Sequence, residues 1–178
     1  MSEENHTIDT LFSEDEIAGR VTTLAAEIAR SAARDLFVVI ILKGSFVFAA
    51  DLIRALERAG VKAQVDFITL SSYGSATISS GEVVLVRDIA EEVEGRDVLI
   101  VDDILESGRT LVFARDLLVK RDAASVQTCL LLDKSGKRTV AIEADFRGFE
   151  IGDQFVVGYG LDYAHHYRGL PYIGVLTR

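Results

Sequence analysis

A single cysteine, Cys129, rules out an internal disulfide, and its place inside the apolar run Val126 to Leu132 makes it a small core residue rather than a reactive thiol. No proline-rich or serine-rich linker, internal repeat or low-complexity tract divides the chain, so its 178 residues, 49% of them apolar, read as one domain with a full core. Long apolar runs are missing as well. Leu36 to Leu42 and Val98 to Val101 fall far short of the ~20 residues a membrane-spanning helix needs and read as buried strands, so no membrane partner is expected. Positions 1–12 lack the basic start, apolar stretch and cleavage site of a secretory signal; they read as a polar N-terminal arm, and the expected location is cytoplasmic. Positive charge is scarce, with 19 Lys and Arg against 28 Asp and Glu for a net charge of −9. That balance speaks against a broad nucleic-acid surface, which depends on basic side chains to neutralise phosphates. A small phosphorylated ligand needs only a local positive pocket, and Lys43, Arg109, Lys134 and Arg168 all fall in or beside expected loops.

Ser13 and Glu16 have the spacing of a capping box, and Phe12 with Ile17 that of a hydrophobic staple, so a helix is expected from there with Ile17, Val21, Leu24 and Ile28 on one face. Leu36 to Leu42, unbroken by polar residues, suits a parallel strand covered on both sides. A helix from about Phe46 to Ala59 follows, stopped by Gly60, and then a strand over Val61 to Leu70. The Ser- and Gly-rich stretch 71–81 offers few anchoring side chains and reads as mobile. Glu82 to Arg87, Asp97 to Val101 and Ser125 to Leu132 read as strands, and Thr110 to Arg121 as a helix. Short strands over Phe146 to Ile151, Phe155 to Tyr159 and Tyr172 to Leu176 follow, separated by Gly-containing turns. This alternation predicts an α/β fold, a mainly parallel twisted sheet flanked by helices, with ligands at the carboxyl ends of the strands.

The chemistry concentrates in Val98-Leu-Ile-Val-Asp-Asp-Ile-Leu-Glu-Ser-Gly-Arg-Thr-Leu111, where a buried strand delivers two carboxylates into a loop that opens a helix. Glu106 to Thr110 offers free N–H groups, a flexible Gly108 and a hydroxyl at a helix N-terminus, which suits a phosphate dianion. Asp102 and Asp103 can hold sugar hydroxyls or a hydrated Mg²⁺. A lone Asp-Asp pair would read as a solvated turn; the phosphate-type loop directly after it favours function. Neither the Walker loop nor the Rossmann glycine fingerprint occurs. A phosphorelay receiver starting near Val98 would have too few residues left. Read in isolation, Asp162 suits a helix cap, Arg168 a solvated charge, Phe155 plain core and Lys134 a loop charge.

The segment resembles the phosphoribosyl-pyrophosphate signature of the type I phosphoribosyltransferases, in particular the hypoxanthine-guanine phosphoribosyltransferases. The resemblance runs from about Leu36 to the end through Leu42-Lys43-Gly44-Ser45, Ser72-Tyr73, Leu132-Asp133-Lys134, the stretch Asp145 to Ile151, and Phe155 to Tyr163 with Arg168. It implies a single phosphoribosyltransferase domain over 1–178, with roughly 145–178 contributing to a small hood over the base. By resemblance, Glu106, Ser107, Gly108, Arg109 and Thr110 would bind the 5′-phosphate, and Asp102 and Asp103 the ribose hydroxyls with one Mg²⁺. Lys43 and Gly44 would meet the pyrophosphate, in a loop where the family usually has a non-proline cis peptide. Arg168 would contact the pyrophosphate too, and Asp162 would place a second Mg²⁺. Phe155 and Ile104 would sandwich the purine, Lys134 would donate to its O6, and main-chain groups of Val156 and Asp162 would read the remaining edge. Ser72 and Tyr73 match a mobile loop that closes against water.

The implied reaction joins purine N9 to ribose C1′ as pyrophosphate leaves, giving IMP or GMP in purine salvage. Donation by Lys134 to O6 favours 6-oxopurines over adenine. One departure stands out: the family's general base, an Asp, is replaced by Glu106, whose extra methylene moves the carboxylate. The competing expectation is a non-enzymatic sensor of phosphoribosyl pyrophosphate or a nucleotide that regulates transcription, against which the acidic charge speaks. The resemblance also implies a homodimer or homotetramer.

Overall fold

Unbroken apolar runs must be covered on both sides, and the first of them forms the central strand β2 (Asp35–Leu42). The computed structural model describes residues 7–31, 35–72 and 82–177. Side chains of β2 alternate with period two. Leu36, Val38 and Ile40 enter one core with α1 (Glu14–Ser31) and α2 (Phe46–Arg58), while Phe37, Val39 and Ile41 enter a second with α3 (Arg109–Val119) on the opposite face. Each fully buried side chain of this size contributes about 1.5–3 kcal/mol, which holds the three layers together.

Five more strands complete the main sheet: β3 (Lys62–Ser72), β4 (Val83–Arg87), β5 (Asp97–Leu105), β6 (Ser125–Asp133) and β7 (Phe146–Glu150). Their order is β4-β3-β2-β5-β6-β7, and every pairing is parallel except that of β3 with β4. The expected α/β class is the one that forms. From the adjacent pair β2 and β5 the chain winds outward in opposite directions, which opens a crevice at their carboxyl ends where open α/β sheets bind ligands.

Two readings of the chain's ends need correction. Of the arm expected over 1–12, Thr7–Phe12 is a strand, β1, paired antiparallel with β9 (Ile173–Thr177), which in turn pairs with β8 (Val156–Val157). This three-stranded sheet, built from both ends of the described chain, stands where the resemblance expects the hood. Phe146–Glu150, counted with the hood from sequence, extends the main sheet beside β6. The strand expected over Phe155 to Tyr159 shortens to two residues because the chain turns at Gly158, whose N–H bonds to the Leu161 carbonyl at 3.0 Å. The capping box is present: the Ser13 N–H and hydroxyl both donate to Glu16 Oε2, at 2.8 and 2.7 Å. The Phe12 ring stacks on Phe149 at 4.0 Å, tying β1 to β7.

Candidate active site

Three parallel strands end side by side, and each end carries a segment singled out above: β2 runs into Lys43 and Gly44, β5 into Glu106 to Thr110, and β6 into Lys134. Sequence ended the middle strand at Val101, whereas β5 continues to Leu105 because β6 keeps pairing with it, Asp102 opposite Leu130 and Ile104 opposite Leu132. Asp102 and Asp103 are therefore strand residues, and their side chains lie close enough to hydrogen-bond with each other. Asp102 is buried, and burial together with the adjacent Asp103 pushes its carboxyl well above the usual carboxylate range. Burial also raises Asp103, opposed by hydrogen bonds from Asp102 and the Ile104 N–H and by the charge of Arg168. Neither aspartate has a basic side chain in an ion pair among the described residues. Two such carboxylates facing a cavity suit a hard cation that takes its remaining ligands from water and substrate oxygens, the habit of Mg²⁺.

A cavity of about 600 Å³ covers this end of the sheet and is lined by Lys43, Gly44, Asp102, Asp103, Ile104 and the whole loop from Glu106 to Thr110. Gly108 stands at φ +85° and opens α3, one residue earlier than the helix expected from Thr110. The first N–H groups of a helix have no partner within it. Those of Thr110 and Leu111 meet no acceptor among the described residues, so the loop keeps the donor character expected of an anion cradle.

The bond between Leu42 and Lys43 is a cis peptide, as the resemblance implied. Gly44 lies so close to Asp103 that a Cβ there would fall 1.6 Å from the carboxylate Oδ2. A Cβ at Gly160 would in turn fall 2.2 Å from the Gly44 carbonyl. The hood loop, the Lys43–Gly44 turn and the acidic pair thus stack without room for a methyl group at either glycine. Ser45 is fully buried, its hydroxyl donating to the Ile41 carbonyl to close the turn before α2.

Lys134, Phe155, Val156 and Asp162 are not among the residues that line this cavity, whereas Ile104 is. Lys134 is buried, and its Nζ donates to Glu106 Oε1 at 2.7 Å. Asp153 stands 3.8 Å from the same Nζ and 2.7 Å from Lys137. The loop lysine of the sequence reading is therefore an interior group held by two carboxylates. Phe155 is half exposed, its ring 5.7 Å from that of Tyr163 in an edge contact, while the Val156 side chain is core. Asp162 is engaged: Oδ1 pairs with Arg168 at 2.7 Å and Oδ2 accepts the His165 N–H at 2.8 Å. Arg168 also donates to the Gly160 carbonyl at 2.6 Å, so it braces the hood loop. Cys129 is buried, which pushes its thiol up and leaves it inert. Of Ser72 and Tyr73, expected in a closing loop, Ser72 ends β3, and Tyr73 lies outside the described residues.

Sequence reasoning missed the support behind the loop. Arg138 donates to the Glu106 carbonyl at 2.9 Å and to Asp133 at 2.5 Å, and Thr139 and Val140 donate to the Ser107 carbonyl. Asp133, only 3% exposed, was quoted in the resemblance without a role. In a run reading Lys-Ser-Gly-Lys-Arg-Thr nothing sets Arg138 apart from a solvated charge.

Comparison with known proteins agrees with the geometry. Residues 7–164 match the family described as phosphoribosyl transferase domain. The chain is 49% identical to the hypoxanthine-guanine phosphoribosyltransferase of Bacillus subtilis, covering 93% of this chain and 91% of that one. It is 50% identical to the bifunctional protein TilS/HprT of Listeria innocua over 93% of its own length, and spans about a quarter, 25%, of that larger relative. A solved structure described as the glutamic acid mutant in an analysis of an invariant aspartic acid in HPRTs superposes with a TM-score of 0.88 at 41% identity, covering 94% of each chain.

Proposed function

The chain belongs to the phosphoribosyl transferase domain family, and we propose that it transfers the 5-phosphoribosyl group of phosphoribosyl pyrophosphate to N9 of a 6-oxopurine, hypoxanthine or guanine, in purine salvage. The observation that carries this reading is the buried Lys134 in contact with Glu106 at 2.7 Å, beside the anion-binding loop. A 6-oxopurine presents O6 and N7 as neighbours on one edge. A donor and an acceptor one hydrogen bond apart match that edge, Lys134 on O6 and Glu106 on the N7 proton. Adenine offers an amino group where Lys134 needs an acceptor, which leaves two donors face to face.

The roles are those the resemblance implies, and the positions of several residues support them. The N–H groups of the 106–110 loop bind the 5′-phosphate at the start of α3. Lys43 and the Gly44 backbone meet the pyrophosphate. Asp102 and Asp103 hold the ribose hydroxyls, and with them a Mg²⁺ whose charge, when bound, stabilises the departing pyrophosphate. Arg168 reaches the pyrophosphate, and Asp162 a second Mg²⁺, only after their 2.7 Å pair parts. Phe155, half exposed at the hood's edge, is free to lie on a purine whose other face meets Ile104.

Glu106 accepts the N7 proton once the arriving base takes over its place on Lys134. A solved relative in which glutamate replaces an aspartate described as invariant superposes on this chain over 94% of its length. No observation favours the sensing alternative. Among the described residues no helix is long and apolar enough to cross a membrane. Assembly as a dimer or tetramer, the remaining expectation, is read by sedimentation.

Base choice tests the edge match. Lys134→Met should raise KM for hypoxanthine and lower kcat/KM by roughly 10²-fold or more, shrinking the preference over adenine, since a site built to hydrogen-bond a substrate oxygen discriminates through that bond. Unchanged selectivity would remove Lys134 from base recognition.

A further inference from the structure

We infer that Arg138 and Thr139 are positioning residues for phosphoribosyl pyrophosphate, acting through the two carbonyls that precede the loop's anion-facing N–H groups. The inference rests on the transferase reading and deepens it, because it concerns how the anion cradle is kept in its binding form.

Four donors from residues 138–140 converge on two consecutive loop carbonyls. Arg138 Nη1 meets the Glu106 oxygen at 2.9 Å. The Thr139 N–H, the Thr139 hydroxyl and the Val140 N–H meet the Ser107 oxygen at 3.0, 3.2 and 3.2 Å. In a trans peptide the C=O and the following N–H point in opposite directions. Fixing the Glu106 and Ser107 carbonyls toward residues 138–140 therefore turns the N–H groups of Ser107 and Gly108 to the other side of the loop. A flip of either peptide would aim a carbonyl oxygen at a phosphate dianion, and the clamp removes that alternative before substrate arrives.

The clamp is itself anchored. Arg138 Nη2 pairs at 2.5 Å with Asp133, whose side chain is 4% exposed, and Asp133 ends β6, so the guanidinium is fixed to the main sheet. Thr139 also accepts Arg109 Nε at 3.2 Å, which orients a loop cation with the same hydroxyl that holds the backbone. Packing limits the loop further: a Cβ on Gly108 would fall 2.6 Å from Ile142 Cγ2 and 3.0 Å from Val140 Cγ2. None of these contacts involves Lys134 or Phe155. On Glu106 the clamp holds the main-chain carbonyl and leaves the carboxylate to Lys134, so its effect falls first on the phosphoribosyl half of the site.

Calorimetric binding of phosphoribosyl pyrophosphate with Mg²⁺ and steady-state kinetics of the intact chain provide the test. Arg138→Met should weaken binding and raise KM for phosphoribosyl pyrophosphate by roughly tenfold, the scale of a lost hydrogen bond to a charged donor, while KM for hypoxanthine stays within about twofold. Arg138→Lys should recover part of the loss. Thr139→Val should raise the same KM several-fold, and it carries the test by itself if Arg138→Met fails to fold. Arg147→Met, which removes the other partner of Asp133 at 3.4 Å and touches no loop carbonyl, should leave both KM values unchanged. The inference is overturned if Arg138→Met and Thr139→Val bind phosphoribosyl pyrophosphate as the parent does, or if both KM values rise together. A parent chain that binds phosphoribosyl pyrophosphate and forms no nucleotide would overturn the transferase reading alone, because calorimetry still reads the clamp.

Discussion

Replacing Gly44 by alanine probes the tightest contact in the site. The added methyl would sit 1.6 Å from Asp103 Oδ2 and 2.7 Å from its Cγ, whereas real Cβ contacts essentially never fall below 3.0 Å. Relief demands a movement of at least 1.4 Å, the difference 3.0 − 1.6, shared between the turn and the carboxylate. Gly44 is not among the positive-φ residues, so alanine brings no backbone penalty and the effect is steric. Misplacing a catalytic or binding group by ~1 Å costs on the order of 10²-fold, about 2.7 kcal/mol at 1.36 kcal/mol per tenfold. The expected result is a loss of about that size in kcat/KM for phosphoribosyl pyrophosphate at saturating hypoxanthine, with a melting temperature close to the parent's. A cycle with Asp103→Ala sharpens the assay. Once the carboxylate is gone, Gly44→Ala should cost little, giving strong non-additivity. A Gly44→Ala protein with kcat/KM within about twofold of the parent, or fully additive losses in the cycle, would refute the reasoning that Gly44 exists to admit Asp103.

Two further outcomes follow from the carboxylates. Glu106→Gln should lower kcat by roughly 10²–10⁴-fold, the usual contribution of a positioned general base, while Glu106→Asp, a carbon–carbon bond of about 1.5 Å shorter, should retain most turnover after losing its contact with Lys134. Steady-state kinetics with hypoxanthine checks both. Asp102→Asn should stabilise the metal-free protein at pH 8 and abolish stabilisation by Mg²⁺ with phosphoribosyl pyrophosphate. The sign comes from the raised carboxyl: between its ordinary and its raised value the folded state holds more protons than the unfolded chain, so its contribution to stability falls as pH rises through the raised value. Melting curves against pH should show the variant's advantage, ~2–4 °C for each kcal/mol relieved, shrinking as pH falls. A constant difference would contradict this assignment.

Periodicity and composition carried the core. The run Leu36 to Leu42 announced a doubly covered strand, and the acidic pair before a helix N-terminus announced the anion loop. What escaped depends on distant partners. Thr7–Phe12 looked like an arm because its polar residues suit an edge, and only pairing with Ile173–Thr177 at the far end of the chain makes it a strand. The middle strand looked shorter than β5 because two aspartates break its apolar pattern, yet ladder pairing with Leu130 and Leu132 carries it on to Leu105. Lys134 looked solvated because its neighbours are polar, and its burial comes from the end of β6 and the Glu106 side chain. Several of the site assignments came with the resemblance, since single residues such as Asp162 and Arg168 carry no local signal.

The most direct measurement of the central claim is nucleotide formation, followed by chromatography, from phosphoribosyl pyrophosphate with hypoxanthine, guanine, xanthine, adenine or uracil in separate reactions, each with and without Mg²⁺. Inosine or guanosine monophosphate should form in the presence of Mg²⁺, with little or no product from adenine or uracil. Folded protein that binds phosphoribosyl pyrophosphate and yields no nucleotide from any base would contradict it.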